Sequence, residues 1–271
     1  MKQFEEIKKE ILERAHNARA CTIQYKRAYQ SENLETLCNV IKDNFWWCCR
    51  NNVLDGELID KYKKIFSDNK IYHNVSIKSG FLLTSGNSTV EASGNSTVEA
   101  SGNSTVEASG NSTVKAFGNS TVNAYDNSTV QASGNSTVKA YDNSTVQASG
   151  NSTVKAFGDS TVNAFGNSTV EAYDNSTVEA YDNSTVQAYD NSTVKASNNS
   201  TVKAFGDSTV KAFGNSTVEA SGNSTVEAYD NSYINCRSTI ECVLKDNSIV
   251  RKWDTNTIQY VSDNLKFEKK Y

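Results

Sequence analysis

Six aromatic residues, Tyr125, Tyr141, Phe157, Tyr173, Tyr189 and Phe205, follow one another at steps of sixteen. In a stacked fold that spacing sets the rings one above another along an edge, where they can pack on themselves, form a seam between two copies or hold a glycan. Trp46 and Trp47 are the other candidates for contact. Because they are adjacent, only one can turn squarely into its own core, and the other is expected to pack on the repeat region.

Chemistry beyond contact lacks its parts. The chain has no Gly-rich phosphate loop and no nucleophile elbow, and His16 and His73 are its only histidines. β-Helical lyases and hydrolases gather Asp, Lys and Arg where their repeat breaks, whereas this repeat contains no Arg and scatters its charges. The six cysteines fit no zinc spacing. Cys38, Cys48 and Cys49 fall on the apolar stripe of a predicted helix, and Cys236 and Cys242 stand where the repeats carry Ala, so buried structural thiols are expected. The expectation is a non-enzymatic protein without cofactor or metal.

The elements that place these residues are set by a repeat. Eighteen valines, from Val90 to Val226, recur every eight residues without a slip, each in a unit such as Asn87-Ser88-Thr89-Val90-Glu91-Ala92-Ser93-Gly94. So short a period makes each copy one segment of a stack. Strand alternation sends Ser88, Val90 and Ala92 one way and Asn87, Thr89 and Glu91 the other. The position of Glu91 holds Glu seven times, Lys six, Gln three and Asn twice, which puts it in water. The remaining dipeptide is Ser-Gly, Phe-Gly or Tyr-Asp, and once Ser197-Asn198; Gly, Asp and Asn tolerate positive φ, so the chain turns there. Phe always travels with Gly and Tyr with Asp, as if whole units had been copied. The absence of proline suits a backbone that needs nearly every N–H for a ladder.

Two units would close a flat coil of 16 residues, three a triangular coil of 24. Val, Ala and Ser are too small to fill a triangle at protein packing density, which favours the flat coil. At ~4.8 Å per layer, nine coils make a rod of roughly 43 Å. Charge in the variable column points the other way: a spacing of 24 stacks only Lys115 and Lys139 as like charges, against three such pairs at 16.

The organisation read from the sequence is therefore a small α-helical N-terminal domain over residues 1–70, a junction and first capping turn over 71–84, a β-solenoid over 85–232, and degenerate repeats forming a C-terminal cap over 233–271. Leu34, Leu37, Cys38, Ile41, Phe45, Cys48 and Cys49 lie on one helical face, with Ser31 as N-cap. Asp55 is the predicted N-cap of a helix from Leu58 to Phe66, and an earlier helix spans roughly Phe4 to Ala20. Leu82 keeps the valine phase at the near end. At the far end Ile234, Val250 and Ile258 keep it, the unit around Ile240 reads as two residues out of step, and Trp253, Tyr260 and Phe267 enlarge the side chains. Both ends should cap strand edges that would otherwise recruit other chains.

Residues 85–232 carry 15 acids against six lysines, a net of −9. A negative rod does not attract phosphate, and DNA of ~43 Å would carry about 25 charges, so nucleic acid is excluded as partner and mimicry is poor. Met1 to Glu13 are charged throughout, so neither a signal peptide nor a membrane span is expected, and the expected location is cytoplasmic, or virion-associated in a phage. Asn-Ser-Thr is formally a glycosylation acceptor; without export it reads as repeat grammar, its Asn supporting the turn and stacking on the next coil.

The unit Ala124-Tyr125-Asp126-Asn127-Ser128-Thr129-Val130-Gln131 resembles the octapeptides of bacterial ice-nucleation proteins, which run roughly Ala-Gly-Tyr-Gly-Ser-Thr-x-Thr. The likeness covers the repeat region alone. It implies a flat solenoid of 16-residue coils, a tyrosine ladder, and water-ordering threonines, here Thr89, Thr97, Thr105, Thr113, Thr121 and Thr129. This chain departs from the pattern at Gln131, where a second Thr should stand, and thirteen of the eighteen equivalent positions are charged. The layout of helices followed by octads is also similar to uncharacterised proteins of gut bacteria and their phages, which brings no activity with it. The functional expectation is a rigid scaffold or interaction surface for a protein partner or a second copy along the aromatic column. Ice or ordered-water binding through the threonines and glycan binding along the aromatic edge are the alternatives.

Overall fold

The computed structural model describes residues 2–237 and 239–261. Each unit folds as a four-residue strand and a turn, from Thr105–Ala108 to Thr225–Ala228, after β3 (Thr89–Ala100), which runs through two units. After the first unit, every repeat strand pairs in parallel with the strands sixteen residues before and after it: Val154 lies between Val138 and Val170, and Val162 between Val146 and Val178. The coil is therefore flat, and about 11 turns stack in all.

The like-charge pairs do form, at Glu91/Glu107, Lys139/Lys155 and Lys195/Lys211. The same register also sets opposite charges together. Lys155 meets Glu171 at 2.8 Å and Lys211 meets Glu227 at 3.3 Å, with Lys195–Glu179 and Lys203–Glu219 behind them at 3.8 and 3.6 Å.

Val and Ala of the units are sealed between the two sheets, and so is the serine of nearly every unit. That serine is satisfied inside its own turn, as when Ser176 Oγ donates to the Tyr173 carbonyl at 2.6 Å. The next residue is left-handed, at φ 57° in Asp174 and 74° in Gly222. A Cβ at Gly222 would stand 2.9 Å from the Gly206 backbone. Asp accepts that crowding because its carboxylate receives the turn N–H of the preceding coil, from Gly158 to Asp174 at 3.0 Å and from Gly214 to Asp230 at 2.8 Å. Asn side chains link coils as expected, Asn119 to Asn103 at 3.3 Å and Asn135 to Asn119 at 3.4 Å.

Six helices precede the rod: α1 (Lys2–Asn17), α2 (Thr22–Tyr29), α3 (Leu34–Asp43), α4 (Phe45–Arg50), α5 (Gly56–Lys61) and α6 (Lys63–Asp68). α3 is capped by Asn33 rather than Ser31: the Asn33 side chain accepts from Thr36 N, and Thr36 Oγ1 accepts from Asn33 N. Ser31 instead closes α2 through Arg27 O at 3.1 Å. Asp55 caps α5 as read, through Leu58 N at 2.8 Å, but the helix expected to reach Phe66 breaks at Tyr62. Leu37, Phe45, Leu54, Leu58 and Phe66 form the core of this domain, which joins the stack where Phe45 meets Phe81 at 5.1 Å. Below it β1 (Ile71–His73) pairs with β2 (Ile77–Thr84), and Leu82 then lies beside Val98 in the solenoid core.

At the far end Ile234 and Val250 hold the valine phase, but two expectations fail. The unit around Ile240 does not slip: Cys242 lies against Val226 and Leu244 against Ala228, so Cys242 fills a valine place, not an alanine place, and buried Ile240 precedes the strand where serine stood. The last strand, Thr257–Tyr260, turns back antiparallel on Ile249–Lys252, leaving Ile258 opposite Arg251 and 52% exposed instead of in the core. Phe267 lies outside the described residues. No helix among them is long and apolar enough to cross a membrane.

Candidate functional site: the two edges of the rod

A flat coil has two turns, hence two edges of different composition. On the first, Tyr125, Tyr141, Phe157, Tyr173, Tyr189 and Phe205 stack without interruption, centroids 4.9–5.1 Å apart and planes within 13°. The rings are half-buried; the four inner ones are covered on both faces by their neighbours, and Tyr125 and Phe205, at the ends, on one. Tyr173 donates to Glu171 at 2.8 Å and Tyr189 to Gln187 at 2.9 Å. The bond to Glu171, helped by desolvation, pushes the Tyr173 phenol up to about 12.

Each of these six coils also carries one acid in the same turn: Asp126, Asp142, Asp159, Asp174, Asp190 and Asp207. No Lys or Arg stands in those turns. The first edge is thus a ring ladder beside a row of carboxylates. The signal was present in Tyr-Asp and in Phe-Gly-Asp, but only the coil register lines the acids up.

The second edge went unnoticed in the sequence because its rings are interrupted. It runs Phe117, Ser133, Ser149, Phe165, Tyr181, Ser197, Phe213, Tyr229, with stacks only at Phe165–Tyr181 (5.0 Å) and Phe213–Tyr229 (4.6 Å). The missing rings leave a depression between Phe117 and Phe165, walled by Gln131, Gln147 and Arg50. A second depression, bordered by Asp182, Asn198 and Gly214, lies beside Ser197.

The six threonines do not form one column. Thr89, Thr105 and Thr121 align on one face, Thr97, Thr113 and Thr129 on the other, and Lys and Glu side chains alternate with them. Trp46 packs towards the solenoid, the Lys115 ammonium 4.4 Å from its ring centre, whereas Trp47 lines an apolar cavity of about 230 Å³ in the helical domain with Ile11, Tyr25 and Cys48.

Where that domain meets the rod it buries Glu99, only 3% exposed although it belongs to the variable column. Burial pushes its carboxyl up to about 7, against the pull of Arg50 (4.0 Å) and Lys115. Arg50 also stacks on Phe117 at 4.0 Å. Burial likewise raises the Cys38 thiol to about 11 and Cys48 to about 12, as inert core groups require. At the far end Cys236 and Cys242 lie 3.4 Å apart, and the hydrogen bond from Cys242, with Lys252 nearby, lowers the Cys236 thiol to about 7 against its burial. Among the described residues no three or more His, Cys, Asp or Glu side chains are grouped to hold a metal ion.

The fold defines a flat two-sheet β-solenoid with a helical N-terminal domain. No family model matches the chain, and no curated protein or solved structure matches it either.

Proposed function

We propose that the chain is a rigid, non-enzymatic scaffold that presents its ladder edge to a protein partner bearing an extended basic segment. The observation that carries this reading is the pairing of six stacked rings with one Asp per coil and no cation among them. Arg and Lys side chains find a carboxylate for the charged head and an apolar ring rim for the methylene stem at each ~5 Å step, and a rod holds these groups in place without ordering cost on binding. Six carboxylates in a row also oppose pairing of this edge with itself. A glycan track would require open ring faces along the column, and stacking leaves only the rims of the four inner rings exposed.

Fluorescence anisotropy with a labelled Arg- and Lys-rich peptide tests the reading. Binding should weaken with salt and fall at least roughly tenfold when the six rings are changed to Ser, a residue the repeat already uses at this turn. Binding that is absent, or that survives loss of the rings unchanged, contradicts it.

A further inference from the structure

We infer that the second edge is a self-complementary seam by which two copies of this chain pair antiparallel. The inference stands apart from the ladder reading, because it concerns the opposite turns. From Phe117 to Ser197 the coils present ring, gap, gap, ring, ring, gap. Turn a second copy about a two-fold axis passing between the coils of Ser149 and Phe165. Phe165 then faces Ser149 of the other copy, Tyr181 faces Ser133, and Phe117 faces Ser197. Every ring meets a gap and every gap a ring, as an isologous interface demands.

The pattern continues outward, with Phe213 facing Ser101 and Tyr229 facing Ser85. There His73 of the junction already lies 3.3 Å from Ser85 and bounds the strip.

The gaps have the shape the rings need. Coils repeat at about the ring-stacking distance, so the two empty rungs between Phe117 and Phe165 accept the stacked pair Phe165–Tyr181, whose own spacing is 5.0 Å. The single empty rung at Ser197, between Tyr181 and Phe213, is one ring wide and stands opposite Phe117. Intercalation would cover ring faces that the interrupted column leaves open, notably that of Phe165 towards Ser149. Charge permits the pairing. The six turns from Phe117 to Ser197 carry one acid, Asp182, which the two-fold sets opposite Gly134, whereas the first edge carries an acid on each of its six ladder coils. Six rungs span about 29 Å at ~4.8 Å each, a narrow strip at the small end of specific interfaces, so the dimer should depend on concentration.

Sedimentation velocity on the full chain across a concentration series is the test, with variants drawn from residues the repeat already tolerates. Ser133→Phe with Ser149→Phe fills the gap; it adds apolar surface yet should weaken dimerisation at least roughly tenfold. Phe165→Ser with Tyr181→Ser removes the inserting pair and should weaken it similarly. Mixing the two variants restores ring against serine at all four central positions, so they should form a heterodimer although neither pairs with itself. Changing the six rings of the first edge to Ser should leave dimerisation intact. A monomeric wild-type chain, tighter association on filling the gap, or no heterodimer in the mixture would each overturn the seam. None of these outcomes bears on peptide binding at the first edge.

Discussion

Both edges of the rod are made by the same three-residue turn, yet they hold different groups in different order. On one, six rings run unbroken beside six carboxylates; on the other, rings alternate irregularly with serines and acids are few. Stacking saturates ring faces on the first edge and leaves some open on the second. A repeat whose core never changes is free to vary its turns, so the units differ in what they present while folding identically.

The contrast can be broken or sharpened by substitution, read as stability to chemical denaturation. Gly134→Val should cost most, about 2–3 kcal/mol, because a β-branched residue cannot adopt its φ of 73° and its Cβ would crowd the Gly118 carbonyl at 3.1 Å. Tyr173→Ser, which removes a ring stacked on both faces, should cost about 2 kcal/mol. Phe165→Ser, with one stacked partner, should cost about half as much; equal costs would erase the distinction between edges.

Glu99→Gln comes next. The Glu99 carboxyl titrates near 7 when folded, above its ordinary 4.5. The folded state therefore binds the extra proton, and stability should fall as pH rises from about 4.5 to 7. The Gln variant should lose that slope and gain on the order of 1 kcal/mol at pH 8, where wild type holds a buried charge only partly met by Arg50. A Gln variant less stable than wild type at pH 8 would show that the ion pair outweighs desolvation. Smallest is Lys155→Ala on a rod face: its pair with Glu171 is half-exposed, and the change should stay below about 0.5 kcal/mol.

Much of this was legible in the residues themselves. The eight-residue phase, the inward Val and Ala, the turns and the flat coil all follow from side-chain size and alternation, which the backbone has no way to contradict. What the sequence concealed depends on neighbours. Glu99 and Glu107 sit in identical units, and only docking of the helical domain on one face makes the first a buried acid. Ile240 is the most apolar residue of its unit, yet Cys242 keeps the valine phase and Ile240 precedes its strand. α2 escaped because only Ala28 of its eight residues is buried, too weak a stripe to read. The row of aspartates was spelled out in dipeptides, but an acid per coil becomes a surface only once the register is known.

Everything proposed for the two edges requires the sixteen-residue register, which disulfide mapping examines directly. In a Cys21→Ser, Cys236→Ala, Cys242→Val background, which removes the exposed thiol and the close pair at the far end, Thr129→Cys paired with Thr145→Cys should cross-link readily under mild oxidation, because adjacent parallel strands bring those positions within disulfide reach, whereas Thr129→Cys with Thr153→Cys should not. Cross-linking of the 129/153 pair in preference to 129/145 would establish a three-sided coil and scatter both columns of rings.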